Sequence, residues 1–181
     1  MAGEHDNPRE DGSGKLVDGD PAVRVVLGGP KDVEGMSGAI KVLNDFGVTH
    51  EVIHYEPEFL QQMDSGVGLI IAAAGEDPVL PVVLALRNTQ MVVGVPLVTE
   101  KSNGFNNLLA LAVFPTTLEP EVPIPLAFVG IGRADNAALL AVQMLALSDT
   151  ELSGRYSAYR DESPAMVARQ NEWLQGQSNT K

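Results

Sequence analysis

The sequence predicts an α/β fold: a three-layer αβα sandwich on a five-stranded parallel sheet, followed by a C-terminal helical extension. Three observations predict it. Five short runs are apolar almost throughout, the pattern of strands buried on both faces. A segment of helical period follows each run. Gly, Pro or Asp punctuates the strand-to-helix junctions. Right-handed crossovers then stack helices on both faces of the sheet.

The elements follow in order. Ala22–Leu27 (AVRVVL) is the first strand and stops at the turn signal Gly28-Gly29-Pro30. Asp32 is placed to cap the next helix, where Met36, Ala39, Ile40 and Leu43 share one face, and Gly47 supplies the stop. His50–Tyr55 is the second strand. Pro57 suits the first helical position of a short helix through Met63. Val67–Ala74 is the third strand, and Asp77-Pro78 opens a helix through Leu86. Met91–Val95 is the fourth strand and Gly104–Val113 the fourth helix. Pro125–Ile131 is the fifth strand, and Ala137–Leu147 closes the fifth unit. Two further helices, Thr150–Arg160 and Ala165–Gln175, form the extension; the second carries the only Trp, Trp173.

The domain plan has three parts: an acidic, disordered tail over 1–20, the αβα domain over 21–147, and the extension over 148–181, expected at subunit interfaces. In such sheets ligands bind beyond the carboxyl ends of the strands. The loops of interest are therefore Gly28–Asp32, Tyr55–Pro57, Ala73–Pro78, Pro96–Gly104 and Gly132–Asn136.

Composition narrows the function. Twelve Lys+Arg against 24 Asp+Glu leave a formal charge of −12, which repels nucleic acid. No Cys is present, so disulfides, thiolate metal sites and a Cys nucleophile are excluded. The three histidines are too few and too scattered for a His-rich metal site, and no cofactor or metal is expected. The most apolar stretch, Val79–Val98, is interrupted by Arg87, Asn88 and Gln90. It reads as a buried helix and strand, not a membrane span. With no signal-peptide pattern at the N-terminus, the expectation is a soluble, cytoplasmic protein.

The ordered loops carry a resemblance. IIAAAGEDPVLP (Ile70–Pro81) is similar to the alanine/glycine-rich loop of the PurE family, the aminoimidazole ribonucleotide carboxylases and mutases. Gly94–Leu97 resembles its GVPV strand end, and Ser102–Pro115 its LNG-x-x-SLLSIVQMP segment. Pro125–Gly132 and Asp135–Leu147 resemble its last strand and helix, and Thr150–Arg160 its penultimate helix. The match runs in order over roughly residues 22 to 160. It implies a flavodoxin-like doubly wound fold, a homo-oligomer, usually an octamer, and a phosphorylated aminoimidazole ribonucleotide as the ancestral substrate.

The resemblance also implies where the site residues lie. The family's phosphate loop, Gly-Ser-x-Ser-Asp, corresponds to Gly28, Gly29, Pro30, Lys31 and Asp32; both serines are replaced, and Pro30 removes a backbone donor. The family's Ser-Ala-His-Arg-Thr-Pro carries its acid/base histidine. Here two alignments compete. One matches His54 to that histidine and Tyr55 to the arginine; the preferred one deletes the segment and leaves His54 a strand residue. In the third loop, Ala74 and Gly75 persist and Ala73 stands at a family glycine, all three as ligand-binding candidates, while Glu76 and Asp77 stand where the family has Gly and Ala. Those two carboxylates suit acid/base work, a hold on Mg²⁺, or a loop and helix cap. Thr99, Lys101, Asn103 and Arg133 complete the ligand-binding candidates, with Arg133 as the leading anion binder.

These departures set the functional expectation: an oligomeric scaffold or interaction protein that has lost the family chemistry, a pseudoenzyme with a protein partner. Two alternatives stay open. One is an enzyme with altered chemistry on a small nucleotide-like ligand, using Glu76, Asp77 or His54. The other is an authentic carboxylase or mutase with a rearranged loop.

Overall fold

A computed structural model describes residues 20–56, 67–100, 102–117 and 121–161. The expected N-terminal tail, the helix over Pro57–Met63 and the terminal helix over Ala165–Gln175 lie outside the described residues, Asp20 excepted. The chain divides into two compact units, Met1–Ala141 and Val142–Lys181.

The first unit holds the sheet. Its strands are β1 (Val23–Leu27), β2 (His50–His54), β3 (Leu69–Ala74), β4 (Met91–Pro96) and β5 (Leu126–Phe128). All pair in parallel, in the order β2-β1-β3-β4-β5. The chain lays β2 on one side of β1, then returns to the other side for β3. The carboxyl ends of β1 and β3 therefore flank the point where strand order reverses, the usual place for a ligand.

Every residue of β1 and β3 is buried. Two layers of helix account for this. Val26, Ile70, Ala72 and Val92 form one core cluster with Leu80, Leu84 and Ala85 of α2 (Leu80–Arg87). Ala74 and Leu111 of α3 (Phe105–Thr117) continue that face. The alternate residues Val25, Ile71, Ala73 and Val93 point to the other face and are equally buried. On α1 (Asp32–Asp45), Met36, Ala39 and Leu43 recur at helical spacing and are fully buried.

Two expectations about burial and ends change. The edge strands are not covered on both faces: Val52 and Phe128 are each 42% exposed in the single chain. The fifth strand is also shorter than its apolar run, because Gly130–Arg133 closes a turn by donating Arg133 N–H to Gly130 O at 3.0 Å. Helix α3 runs through Pro115 to Thr117, beyond the expected end at Val113. Proline there removes one backbone donor near the end, where Thr116 Oγ1 bonds Val113 O at 2.8 Å. Helix α1 stops as its sequence implies. Gly47 adopts φ 63°, and Val48 N–H reaches Leu43 O at 2.9 Å in the bonding pattern of a glycine-terminated helix.

Helix α4 (Ala134–Leu145) begins three residues earlier than its periodicity suggests and bridges into the second unit. In that unit Asp149 Oδ1 accepts the N–H groups of Glu151 and Leu152, both at 2.9 Å. It thereby caps α5 (Thr150–Asp161). Among the described residues, no helix is long and apolar enough to cross a membrane.

Candidate active site

A cleft of about 660 Å³ opens over the carboxyl ends of β1, β3 and β4. Pro30 to Glu34 line it from the first loop and the start of α1, Gly75 and Glu76 from the loop after β3, and Val98 to Glu100 from the loop after β4.

Asp32 organises the first two walls. It is the first residue of α1, preceded by Lys31, and it does not cap its own helix as its position suggested. Its Oδ2 instead accepts the Gly28 N–H at 2.9 Å, and its Oδ1 accepts the Glu76 N–H at 3.0 Å. One buried carboxylate thus ties two loops 44 residues apart. Burial pushes the Asp32 carboxyl above its usual range; the backbone N–H groups of Glu76, Gly28 and Gly29 oppose that shift and the nearby Glu76 charge adds to it. The glycines fit this brace by their lack of a side chain. A Cβ on Gly75 would overlap the Asp32 carboxylate, and one on Gly29 would overlap the Glu76 carboxylate.

Glu76 reaches from the loop after β3 to the first loop. Its Oε2 accepts the Lys31 backbone N–H at 2.9 Å. The Lys31 ammonium lies 3.5 Å from Glu100 on the opposite wall. The lining therefore carries four carboxylates, Asp32, Glu34, Glu76 and Glu100, against one ammonium.

The third wall hangs on Asn107, a residue the sequence reading did not single out. Its buried side-chain amide donates to Leu97 O at 2.8 Å from the first turn of α3. The sequence offered two adjacent amides, Asn106 and Asn107, and does not by itself say which one is buried. Thr99 and Ser102 then pair antiparallel through two backbone bonds, which presents Thr99 to the cleft.

The remaining candidates separate. Ala73 and Ala74 are core residues of β3, and Ala74 contributes only its carbonyl, which accepts Leu97 N–H at 3.0 Å. Asp77 Oδ1 accepts Val79 N–H at 3.0 Å just before α2, a local loop bond. Asn103 is exposed in the turn before α3, and Lys101 lies outside the described residues. Arg133 is not among the residues lining the cleft. It makes a two-pronged ion pair with Asp135 at 2.9 and 2.7 Å, which raises its pKa. His54 ends β2 in register with Leu27, and Tyr55 N–H bonds Leu27 O at 2.8 Å. Its imidazole is exposed at the carboxyl end of the sheet, one strand over from Gly28.

Comparison with known proteins supplies the lineage. A Pyrococcus abyssi N5-carboxyaminoimidazole ribonucleotide mutase is 36% identical over 153 residues, covering 80% of this chain and 84% of that protein. The Aquifex aeolicus mutase is 37% identical, covering 72% and 80%. The Saccharolobus solfataricus mutase is 33% identical, covering 78% and 92%. In structure, a point variant of Treponema denticola PurE2 superposes with TM-score 0.69 at 17% identity, over 86% of this chain and 98% of that one. Treponema denticola PurE gives 0.65 at 18%, over 84% and 97%.

These relatives overturn the expected noncatalytic scaffold. A third of the residues match across most of both chains, in proteins named as mutases. Reading the loops by their side chains gave the lost serines too much weight. The replaced serines are a local change, while the matches to mutases run through most of the chain. Residues 22–165 match the model of the AIR carboxylase family, and with relatives at this level of identity the chain belongs to that family.

Proposed function

We propose that the chain is an N5-carboxyaminoimidazole ribonucleotide mutase. The observation that carries this reading is the 30–37% identity to curated mutases over 72–86% of the chain. A mutase moves the carboxyl group from N5 to another atom of the same molecule, so a proton must be handled at the reacting ring. His54 is the proposed acid/base. It precedes Pro57 by three residues, the spacing of the family's histidine and proline. His54 stays a strand residue, the last of β2 and opposite Leu27, as the preferred alignment expected, so the proposed role rests on its place at the carboxyl end of the strand. Its exposed ring at the end of β2 supports the role.

The cleft supplies the rest. Lys31, through its backbone N–H and its ammonium, is the proposed contact for the phosphate. The Thr99 hydroxyl offers a further contact on the opposite wall. Asp32 positions the loops. Arg133, held by Asp135, is not assigned to the substrate.

We further read the protein as a soluble, cytoplasmic homo-oligomer, with the octamer of the resemblance as the specific proposal. The exposed apolar stripe Phe105, Leu109 and Val113 on α3 supports self-association.

The test is an assay of carboxyaminoimidazole ribonucleotide formation and decay, with His54→Ala beside the wild type. Turnover is expected, falling by about 10² to 10⁴ in the variant. Undiminished turnover in His54→Ala moves the acid/base role to another group. A folded wild-type protein without turnover overturns the mutase reading.

A further inference from the structure

Lys31 meets the chain's own carboxylates through both its backbone N–H and its ammonium. Its backbone N–H, at the start of the 14-residue helix α1, bonds Glu76 Oε2, and its ammonium pairs with Glu100 across the cleft. Glu76 is exposed and reaches over from the loop after β3. Its carboxylate fills the space that a side chain on Gly29 would take. The position is therefore shaped for a negatively charged group and already holds one.

Glu76 is not needed to join the two loops, because the buried Asp32 carboxylate does that through the N–H groups of Gly28 and Glu76. An exposed carboxylate that bonds a helix N-terminus without carrying the loop connection is a replaceable occupant. It also adds a negative charge at the spot where an incoming anion would seek the same N–H.

We propose that Glu76 is a displaceable internal anion that sets how tightly this cleft takes a phosphate group. The proposal rests on the mutase reading only for placing the substrate phosphate at Lys31. A phosphate ester enters by taking the Lys31 N–H while the Glu76 side chain swings into solvent. Glu76 is a specificity-determining residue here and takes no part in proton transfer.

The test is titration of the full chain with inorganic phosphate at fixed pH and ionic strength, for wild type, Glu76→Gln and Glu76→Gly. Removing charge and side chain together is expected to tighten phosphate about tenfold, and removing the charge alone about threefold. Tightening that appears in Glu76→Gly and to a smaller extent in Glu76→Gln supports the proposal, including where wild-type binding is too weak to measure. Equal or weaker binding in variants with wild-type melting temperature overturns it, as does no binding in any of the three. Glu76→Gln is isosteric and keeps an acceptor for the Lys31 N–H, so it carries the test if Glu76→Gly fails to fold. The turnover assay with His54→Ala is independent. Tighter phosphate without turnover leaves this proposal standing and the mutase reading fallen, and the converse result separates them the other way.

Discussion

The walls of the cleft are held by two different chemistries. The β1 and β3 loops are joined by a carboxylate, Asp32, which accepts from both. The β4 loop is held by an amide, Asn107, donating to a single carbonyl. Both anchors are buried, at 2% and 5% exposure, so both must satisfy the groups they face. The carboxylate can be protonated and the amide cannot. One wall is therefore coupled to pH and the other depends on its anchor alone.

The amide wall gives the larger expected loss. Asn107→Ala strands the buried Leu97 carbonyl and opens a void beneath Val98–Glu100. A cost of about 2–4 kcal/mol is expected, from the unpaired acceptor and the lost packing together. Urea denaturation measures it. A loss below about 0.5 kcal/mol would mean that water or a neighbouring group replaces the amide, and the wall would not depend on Asn107.

The carboxylate wall is sensitive to volume before it is sensitive to charge. Gly75→Ala puts a methyl group into the Asp32 carboxylate, which two N–H bonds hold in place. The side chain cannot turn away without releasing at least one of them. Destabilisation of about 1–3 kcal/mol is expected, with a matching rise in amide exchange at Gly28 and Glu76. Exchange that stays at wild-type rates would show that the brace absorbs the methyl group by a small loop shift.

The same contrast explains what was legible in the sequence. The strands announced themselves because Val25, Val26, Ile70, Ile71 and Val93 are apolar in an unbroken manner that only a two-sided core requires. The ligand end of the sheet followed from the rule for parallel sheets, while the strand order and its reversal came from the structure. Gly28, Gly29, Lys31, Asp32, Gly75, Glu76 and Thr99 were chosen from the sequence, and the fold brings them together at or beside the cleft. Their roles were less legible. Asp32 looked like a cap because first-turn position is local information; its bond to Glu76 is a contact between distant segments that no spacing encodes. Arg133 read equally as an anion binder or a surface ion pair, and the turn that opens α4 decides for the pair with Asp135. The loop departures suggested lost chemistry because they are local, while the kinship that overturns that reading is spread over most of the chain.

The smallest effect concerns Asp32 itself, and its sign is fixed by the direction of its pKa. Burial holds the native carboxyl above the ordinary value of about 3.9 that it has when unfolded. Between those two values the native state binds more protons than the unfolded state, so stability falls as pH rises. The contribution of protonated Asp32 is fully present below the ordinary value. It declines through the window up to the raised native value and is constant above it. Asp32→Asn has no such proton. Its amide can accept one of the two N–H bonds but presents NH₂ to the other, so the variant is expected to be less stable by about 1 kcal/mol where Asp32 is ionised. Subtracting the variant's stability from the wild type's at each pH removes most contributions of the other carboxylates. The difference is expected to shrink as pH rises from about 4 through the window and then level off. A difference that is flat there would mean that the two N–H bonds cancel the burial term, and one that grows would mean that they outweigh it. Either result would leave the carboxylate wall no more pH-sensitive in the expected direction than the amide wall, and the contrast between them would reduce to geometry.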